Sequence, residues 1–480
     1  MKQKRDTENR LPPGSTLINI KQLKHIDMNF KEAPIIVGLD IGTTKIAAIA
    51  GRKNEYDKLE ILGFGRANSI GVQHGQVLNI DQTIKGIQAA LANCAASNPD
   101  LEISEVYVGV AGHHIKSLQT RGDIVRQNPD TEIEQWEVDQ LVENQRKTFI
   151  PAGDQIIDVI PQDFHVDNNH NITVPVGVNG VKLGANFHII TGDRNAIRNI
   201  NRAVERSGLR TKDLVLQPLA SASAVMSDID LEAGVAILDI GGGTSDLAVF
   251  SEGILKHTAV IPFGGENITN DIRTGLGVLK IQAEQMKIQF GSALPAETKS
   301  NAVITIPGLK GMPAKEISVQ TLAHIISARM TEILEFVTYH LKQIDLDARM
   351  LSGGIILTGG GSQLMHLKQL TEYVTGLSAR IGFPNEHLAA NHIEELAKPM
   401  YSTCIGLILK GYSDYEHKYK EFESKFTKVE VPDNLKKDEK FTATPPPQNE
   451  AQVKVPKRRI WDMFKDGLID VFKEEPDKMI

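Results

Sequence analysis

Two turns in this sequence contain the residue types needed to hold a phosphate chain and a metal ion. One is Asp40-Ile-Gly-Thr-Thr-Lys45, and the other is Asp239-Ile-Gly-Gly-Gly-Thr244. In each turn a carboxylate ends an apolar run, and the residues that follow allow backbone N–H groups to close on phosphate oxygens. We expect Asp40 and Asp239 to face each other across a cleft. They would hold Mg²⁺ through water, because Mg²⁺ dehydrates reluctantly.

A third glycine-rich turn follows the apolar run Ile355-Ile-Leu-Thr358. Such a turn lets a nucleotide lie close to the backbone. One loop of this kind would fit an ordinary strand-to-turn glycine cluster equally well. Three in this order, two of them with an aspartate, favour a nucleotide site instead. The loop residues expected to contact the nucleotide are Gly42, Thr43, Thr44, Lys45, Gly241, Gly242, Gly243, Thr244, Gly359, Gly360 and Gly361.

Two further features near these loops have alternative interpretations. Lys45 either pairs with phosphate oxygens, which we favour, or lies outside the cleft. The pair His113 and His114 has no other metal ligand close in sequence. A surface turn is therefore favoured there over a metal site.

The elements that must position these loops are predicted from hydrophobic patterns. Residues 35–46 and 235–250 are similar strand–turn–strand segments, so the chain contains an internal repeat. Two such halves predict a duplicated α/β fold with a cleft between them. Between the repeats, residues 106–191 have the pattern of a strand, a helix at 133–149 and two further strands.

Composition excludes several classes of protein. The 480 residues carry a formal net charge of −7, which argues against nucleic-acid binding because that requires a basic surface. Cys94 and Cys404 are far apart, so neither a disulfide framework nor a zinc site is expected. Residues 1–33 are polar and lack the apolar core of a secretory signal. With no stretch of roughly 18 apolar residues, a cytoplasmic chain is expected.

The C-terminal part of the sequence has a different character. Residues 411–456 are dense in charge and predict a disordered linker, whereas 457–473 have helical apolar spacing. A helix with aromatic residues on one face and cations at its start is typical of the lipid headgroup region. A helix that docks on a core or a partner is the alternative. The residues expected at the membrane are Arg458, Arg459, Ile460, Trp461, Phe464, Leu468, Val471 and Phe472.

The three loops resemble the phosphate 1, phosphate 2 and adenosine motifs of the actin, hexokinase and heat-shock-chaperone superfamily. Within it, the chain resembles the FtsA family of bacterial cell-division proteins over about residues 35–409. The stretches that carry this resemblance are 159–164, 174–177, 188–191, 203–209, 261–265, 268–272 and 401–407.

The resemblance implies a duplicated actin-like ATPase fold with a central nucleotide cleft and an inserted FtsA-type subdomain. After an N-terminal extension at 1–33, the implied parts are a first half (34–105 and 192–230), the insertion (106–191), a second half (231–262 and 346–410) and its smaller subdomain (263–345). ATP with Mg²⁺ is the implied ligand. Glu284 and Lys287 would grip the ribose or adenine, although a solvated helix face is the alternative. Gln217 would orient water for slow hydrolysis or would merely end a strand.

The implied function is a scaffold at the cytoplasmic side of the inner membrane, at the division site. It would bind ATP, polymerise with itself and attach to anionic lipid. It would also anchor the C-terminal tail of the tubulin-like protein FtsZ, through about residues 263–345, and recruit later division proteins. The alternatives are a pilus-assembly ATPase and a small-molecule kinase of the same superfamily. Neither normally needs the C-terminal amphipathic helix.

Overall fold

The computed structural model describes residues 33–299, 301–308, 313–344, 350–390 and 393–427. The chain divides into two compact units, 1–420 and 421–480, and nearly all of the described residues belong to the first. Strands and helices are numbered below in chain order.

The first half is built on a five-stranded sheet with order β11-β6-β1-β2-β3. Strand β1 is buried along its whole length, as expected for an apolar strand in the middle of a sheet. Helices α1 and α3 cover one face of this sheet, and the side chains of Asn79 and Asp193 cap their N-termini. The elements are β1 (Ile36–Ile41), β2 (Lys45–Lys53), β3 (Leu59–Asn68), β6 (Glu105–Val110), β11 (Arg210–Leu216), α1 (Ile80–Ala96) and α3 (Arg194–Arg206). A small hairpin, β4 (Val72–Gln73) and β5 (Gln76–Val77), precedes α1.

The second half repeats this arrangement in a sheet with order β14-β13-β12-β17-β18. In both halves an aspartate-bearing central strand pairs antiparallel with the next strand and parallel with a later one. The internal repeat is therefore confirmed. The strands are β12 (Val235–Ile240), β13 (Ser245–Ser251), β14 (Ile254–Ile261), β17 (Ile355–Thr358) and β18 (Ala379–Ile381). Around them lie α6 (Gly265–Leu276), α7 (Lys280–Phe290), α8 (Val319–Gln343), α9 (Leu367–Thr375), β15 (Val303–Ile306) and β16 (Lys315–Ser318).

Two helices join the sheets into one core. They are α4 (Gln217–Val225) and α10 (Ser402–Thr427), and a short helix α5 (Asp228–Ala233) follows α4. Buried side chains of α4 and α10 pack against strands of both sheets in a single cluster. Gly406 lies so close to α4 that a Cβ there would be 1.7 Å from the carbonyl oxygen of Ala220. This close packing fixes both helices beside the cleft.

The inserted subdomain has its own sheet, β7-β10-β8-β9, and its own core. Its elements are β7 (Lys116–Val125), α2 (Gln135–Gln145), β8 (Asp154–Val166), β9 (Asn169–Ile172) and β10 (Lys182–Asp193). The expected boundary at residue 106 is wrong by one strand, because β6 pairs with β1 and β11 in the first sheet. The helix is also shorter than 133–149. Ile133 pairs with backbone groups of Gly177 and Val178 instead of starting the helix.

The predicted linker begins too early at residue 411, because α10 continues to Thr427. Tyr412 is only 2% exposed, and its hydroxyl accepts a hydrogen bond from the Lys53 N–H at 2.9 Å and donates one to the Pro34 carbonyl. Lys410 and Asp414 form an ion pair one helical turn apart. The charge density that suggested a linker thus belongs partly to a packed helix. The rest of the predicted linker and all of 457–473 lie outside the described residues.

Candidate functional site

The three predicted loops meet at one cavity between the two halves. Strands β1, β12 and β17 end there, and the N-termini of α4 and α10 face it. The cavity is lined by Asp40, Ile41, Gly42, Thr43, Thr44, Lys45, Gly75, Gln217, Asp239, Gly241, Gly242, Gly243, Thr244, Gly359, Gly360, Met400 and Thr403. Of the predicted loop residues, only Gly361 is absent from this lining. Its backbone packs against Ile240 instead.

Asp40 is held by two side chains of the first half. Its Oδ1 accepts a hydrogen bond from Gln217 Nε2 at 3.0 Å, and its Oδ2 lies 3.3 Å from Lys45 Nζ. Lys45 therefore lies inside the cleft, where its Nζ is also 5.6 Å from the centre of the Tyr401 ring. Gln217 is the first residue of α4, immediately after β11, and its side chain points toward Asp40. An amide in this position can also hold a water molecule beside the carboxylate.

Asp239 is held by two hydroxyl groups that the sequence reasoning missed. Its Oδ2 accepts hydrogen bonds from Ser221 Oγ at 2.5 Å and from Thr403 Oγ1 at 3.1 Å. Burial raises the pKa of Asp239, and the charge of Asp40 raises it further. Ser221 and Thr403 come from α4 and α10, so the helices between the sheets orient this carboxylate. Thr403 lies in 401–407, one of the stretches that resemble the FtsA family, but no local pattern indicated that either hydroxyl contacts Asp239.

Asp246 is a third buried carboxylate, beside Asp239 but not in the cavity lining, and it had no predicted role. It lies on β13 directly opposite Asp239 in the strand register. Its Oδ2 accepts a hydrogen bond from Thr244 Oγ1 at 3.0 Å, whereas its Oδ1 is buried without a partner in the structure. Burial, together with the charge of Asp239, raises the pKa of Asp246 to about 8. The sequence feature that could have indicated Asp246 is its position seven residues after Asp239, on the second strand of the strand–turn–strand repeat.

The donor set fits a hydrated cation. The charge of Asp40 raises the pKa of both Asp239 and Asp246, and one buried oxygen of Asp246 has no hydrogen-bond partner in the structure, so a cation beside these carboxylates would be stabilised. Among the described residues no group of three His, Cys, Asp or Glu side chains is placed to hold a metal directly. Oxygen ligands that contact the ion through water are the mode that Mg²⁺ favours.

The first two loops touch each other, which explains their small residues. A Cβ at Gly243 would lie 2.5 Å from Thr43 Oγ1, and a Cβ at Gly242 would lie 2.5 Å from Thr44 Cγ2. Gly359, in the third loop, has a φ of +79°, and a Cβ there would lie 2.2 Å from Asp239 Oδ1. Glycine is required at these positions because backbone and carboxylate approach each other closely.

The tip of the β4–β5 hairpin is a further part of the site that sequence reasoning missed. His74 Nδ1 lies 3.2 Å from the carbonyl oxygen of Gly243, and the Gly75 N–H donates to Thr43 Oγ1 at 3.2 Å. The hairpin therefore contacts both aspartate loops. No pattern in the sequence marked this short turn.

Glu284 and Lys287 do not line the cavity; they lie behind the second loop. Lys287 Nζ donates to Glu284 Oε2 at 2.8 Å and to the Gly265 carbonyl at 2.9 Å. The Gly265 N–H donates in turn to the Gly241 carbonyl. The Lys287 side chain is only 13% exposed, so a solvated helix face does not describe it. The predicted membrane residues, from Arg458 to Phe472, lie outside the described residues.

Among the described residues, no helix has both the length and the apolar character needed to cross a bilayer. Both cysteines, Cys94 and Cys404, are buried and free of disulfide bonds.

Comparison with known proteins identifies the family. The family model "Cell division protein FtsA" matches residues 236–406, and "SHS2 domain inserted in FTSA" matches 112–191, which excludes β6. The chain is 37% identical to cell division protein FtsA of Neisseria meningitidis serogroup B over 370 residues, which are 77% of this chain and 88% of that protein. It is 33% identical to FtsA of Escherichia coli K12 over 400 residues, with coverage of 82% and 94%. FtsA of Bacillus subtilis is 35% identical over 374 residues, with coverage of 78% and 82%.

A solved structure shares the fold at low sequence identity. A chain of the PilM-PilN type IV pilus biogenesis complex superposes with a TM-score of 0.58 at 16% identity, covering 78% of this chain and 98% of that chain. The predicted duplicated actin-like fold with an inserted subdomain is confirmed. The level of identity, maintained over most of both chains, shows that this chain belongs to the FtsA family of cell division proteins.

Proposed function

We propose that this chain is an ATP-dependent scaffold that anchors the FtsZ ring to the cytoplasmic face of the inner membrane at the division site. One observation carries the nucleotide part: three loops, far apart in sequence, converge on one cleft that Asp40 and Asp239 line. Membership of the FtsA family supports the division role. The sequence of residues 457–473 supports the attachment to lipid.

In this proposal, ATP lies with its phosphates between the first two loops. Backbone N–H groups of both loops, including that of Thr244, and the hydroxyls of Thr43 and Thr44 bind phosphate oxygens, while Lys45 adds a cation. Asp40 and Asp239 would hold Mg²⁺ through water, and the bound ion would supply positive charge beside the phosphates. The third loop, at 359–361, borders the nucleoside, and Lys287 with Glu284 supports the second loop from behind.

Hydrolysis of ATP in this cleft is expected to be slow. Phosphoryl transfer needs a group that orients the attacking water. Gln217 is the residue in the cleft that we assign to this role, and an amide can orient water but is a poor base. The chain is therefore primarily a nucleotide-dependent scaffold and at most a weak ATPase.

Attachment to the membrane depends on the C-terminal segment and on polymerisation. A single amphipathic helix gives marginal, reversible binding, but many helices on one filament raise the effective concentration. Of the linker predicted from the sequence, 29 residues (428–456) follow α10. A flexible chain of that length would span roughly 30 Å, which would let neighbouring subunits reach one bilayer together.

Two surfaces are proposed for protein partners. The smaller subdomain of the second half, residues 263–345 with α6, α7, α8, β15 and β16, would bind the C-terminal tail of FtsZ. The inserted subdomain would contribute filament contacts and recruit later division proteins. The net charge of −7 is unfavourable for nucleic acid, which is not among the proposed partners.

The second candidate function is a pilus-assembly ATPase, which the shared fold of the PilM-PilN chain favours. That likeness concerns the fold alone. A small-molecule kinase of the superfamily is less well supported, because it has no use for a linker and a lipid-binding helix. The C-terminal segment separates the division scaffold from both alternatives.

Liposome co-sedimentation tests the proposal. The full chain, with ATP and Mg²⁺, is expected to pellet with vesicles that contain anionic lipid, whereas a truncation ending at Val455 is expected to stay in solution. A Trp461→Ser, Phe464→Ser variant should behave like the truncation. The matched control, Asp466→Glu with Asp470→Glu, changes the opposite face without changing charge and should pellet normally. Equal pelleting of the full chain and the truncation, or pelleting of neither, would refute the membrane anchor.

A further inference from the structure

The β4–β5 hairpin has contacts on two sides, and only one side faces the cleft. On that side His74 and Gly75 contact the second and first aspartate loops, respectively. On the other side Gln76 Nε2 donates a hydrogen bond to His114 Nδ1 at 3.0 Å. A segment of a few residues therefore connects the cleft with His114.

His114 lies where the inserted subdomain joins the first half. It is in the connection between β6 and β7, where the chain enters the subdomain. The chain leaves the subdomain at Gly192, at the end of β10, and a Cβ there would lie 3.2 Å from His114 Cδ2. His114 thus packs between both connections. Its neighbour His113 is exposed, as a surface turn requires, but His114 is only 7% exposed.

The hydrogen-bonding state of His114 follows from its partner. The amide Nε2 of Gln76 can only donate, so His114 Nδ1 accepts and the proton resides on Nε2. That Nε2 is buried and has no partner in the structure. Burial also lowers the pKa of His114, which keeps the ring neutral. The side chain is held on one edge only, by Gln76, so loss of this bond would leave the ring without a hydrogen bond.

We propose that His74, Gly75 and Gln76 are positioning residues that transmit the occupancy of the phosphate cleft to the inserted subdomain through His114. The inference rests on the proposed binding of ATP. Thr43 and Gly243 both line the cavity, and a Cβ at Gly243 would lie 2.5 Å from Thr43 Oγ1, so a phosphate group bound between the loops would contact and shift them. Because His74 and Gly75 bond to these two loops, the hairpin moves with them. Gln76 then changes its bond to His114, and the connections of the subdomain shift.

A second set of contacts joins the inserted subdomain to the second half, and it provides an alternative route to compare with the hairpin. The inserted subdomain also contacts the edge strand β14, where His188 Nε2 lies 3.0 Å from Thr258 Oγ1 and Gln162 Nε2 donates to the Leu255 carbonyl at 2.5 Å. If movement of the second half acts through this edge, Thr258 will matter and Gln76 will not. The two routes therefore predict opposite results for variants at these positions.

We call the path from the cleft through the β4–β5 hairpin to His114 the relay. Hydrogen–deuterium exchange of the full chain, with and without ATP and Mg²⁺, tests it. In the wild type, ATP is expected to change exchange in β7 and β10 of the inserted subdomain. Gln76→Ala should keep ATP affinity within about threefold and lose at least half of that change. His74→Asn, which suits the left-handed backbone at this position (φ of +46°), should also reduce it. His113→Ala and Thr258→Val should respond like the wild type.

Three results would overturn the relay: an unchanged response in Gln76→Ala, loss of the response in Thr258→Val alone, or ATP binding without any change in β7 and β10. ATP affinity is measured separately with a fluorescent analogue. Failure of the wild type to bind ATP would refute the proposed function, and the relay with it. Normal binding with an unaltered subdomain would refute the relay alone.

Discussion

Asp239 and Asp246 lie opposite each other on β12 and β13, and both carboxylates are buried. Ser221 and Thr403 stabilise the first, and Thr244 stabilises the second, while one oxygen of Asp246 is left without a donor. Burial raises the pKa of both; the charge of Asp40 adds to the shift of Asp239, and the charge of Asp239 adds to that of Asp246. A bound cation would relieve the repulsion between these carboxylates. Substitutions of the aspartates should therefore change both the affinity for nucleotide and the stability of the nucleotide-free chain.

Asp239→Asn is expected to weaken Mg²⁺-dependent ATP binding by at least tenfold, because it removes a carboxylate that would hold the hydrated ion. Titration with a fluorescent ATP analogue, with Mg²⁺ and with EDTA, measures the change. Asp57→Asn is the matched control, since Asp57 is exposed and far from the cleft and its positive φ suits asparagine. Equal affinity of Asp239→Asn and the control would contradict the assignment.

Asp246→Asn is expected to stabilise the nucleotide-free chain, and more so at pH 8 than at pH 6. The pKa of Asp246 rises from 3.8 in the unfolded chain to about 8 in the fold. Between these values the folded form keeps a proton that the unfolded form has lost. Stability therefore falls as pH rises through this window, by up to about 1.4 kcal/mol per pH unit.

Urea denaturation at pH 6 and pH 8, without nucleotide, measures this effect. The asparagine retains the acceptor for Thr244 but has no proton to lose, so its advantage over the wild type should grow with pH. A pH-independent difference would mean that Asp246 is ionised throughout in the folded chain.

Gln217→Ala is expected to lower ATP turnover about tenfold or more while ATP affinity changes little. The amide lies 3.0 Å from Asp40 Oδ1, close enough to hold a water molecule beside the phosphates. Single-turnover measurements with labelled ATP separate hydrolysis from binding. If turnover is unaffected by the substitution, or if the wild type hydrolyses ATP rapidly over many cycles, Gln217 does not have this role.

At the scale of elements, close backbone packing fixes the helices on the sheets. Helix α1 packs so tightly on β3 that a Cβ at Gly65 would lie 1.8 Å from the Ala90 carbonyl oxygen. On the other face of the first sheet, α10 packs against α4 in the same way at Gly406. These contacts decide where Ser221 and Thr403 stand relative to Asp239.

Gly65→Ala is therefore expected to destabilise the fold by about 2 kcal/mol or more, because backbone atoms must shift to admit the methyl group. Gly51→Ala is the matched control on the neighbouring strand β2, where the nearest atom to a Cβ is a side-chain methyl of Ile408 at 3.4 Å. Thermal unfolding monitored by circular dichroism compares the two. Similar melting temperatures would show that α1 moves away from β3 easily.

At the scale of the whole molecule, the cleft and the C-terminal segment are expected to act together. If ATP promotes polymerisation, binding to anionic vesicles will depend steeply on protein concentration in the presence of Mg²⁺ and ATP. Asp239→Asn should give a shallow, weak binding curve despite its intact C-terminus. Vesicle flotation over a range of protein concentrations measures both curves. Identical curves for the variant and the wild type would show that lipid binding does not depend on the bound nucleotide.

The loops and the repeat were predictable because each depends on neighbouring residues. An apolar run followed by Asp and small residues specifies a buried strand and a tight turn wherever it occurs, and Asp40 and Asp239 both follow this rule. Element boundaries were harder to predict. The charges of α10 suggested a linker, since nothing nearby in the sequence shows that Tyr412 is buried beside Lys53, 359 positions away.

By itself, then, the sequence determined the three loops, the duplicated fold and the family to which the chain belongs. Only the tertiary structure decided that β6 belongs to the first sheet and that Ser221 and Thr403 orient Asp239. It also placed the β4–β5 hairpin in contact with both aspartate loops, and His114 where the inserted subdomain joins the first half. The physical reason is that these contacts join residues from separate elements. The packing of helices and sheets, which no local pattern encodes, brings them together.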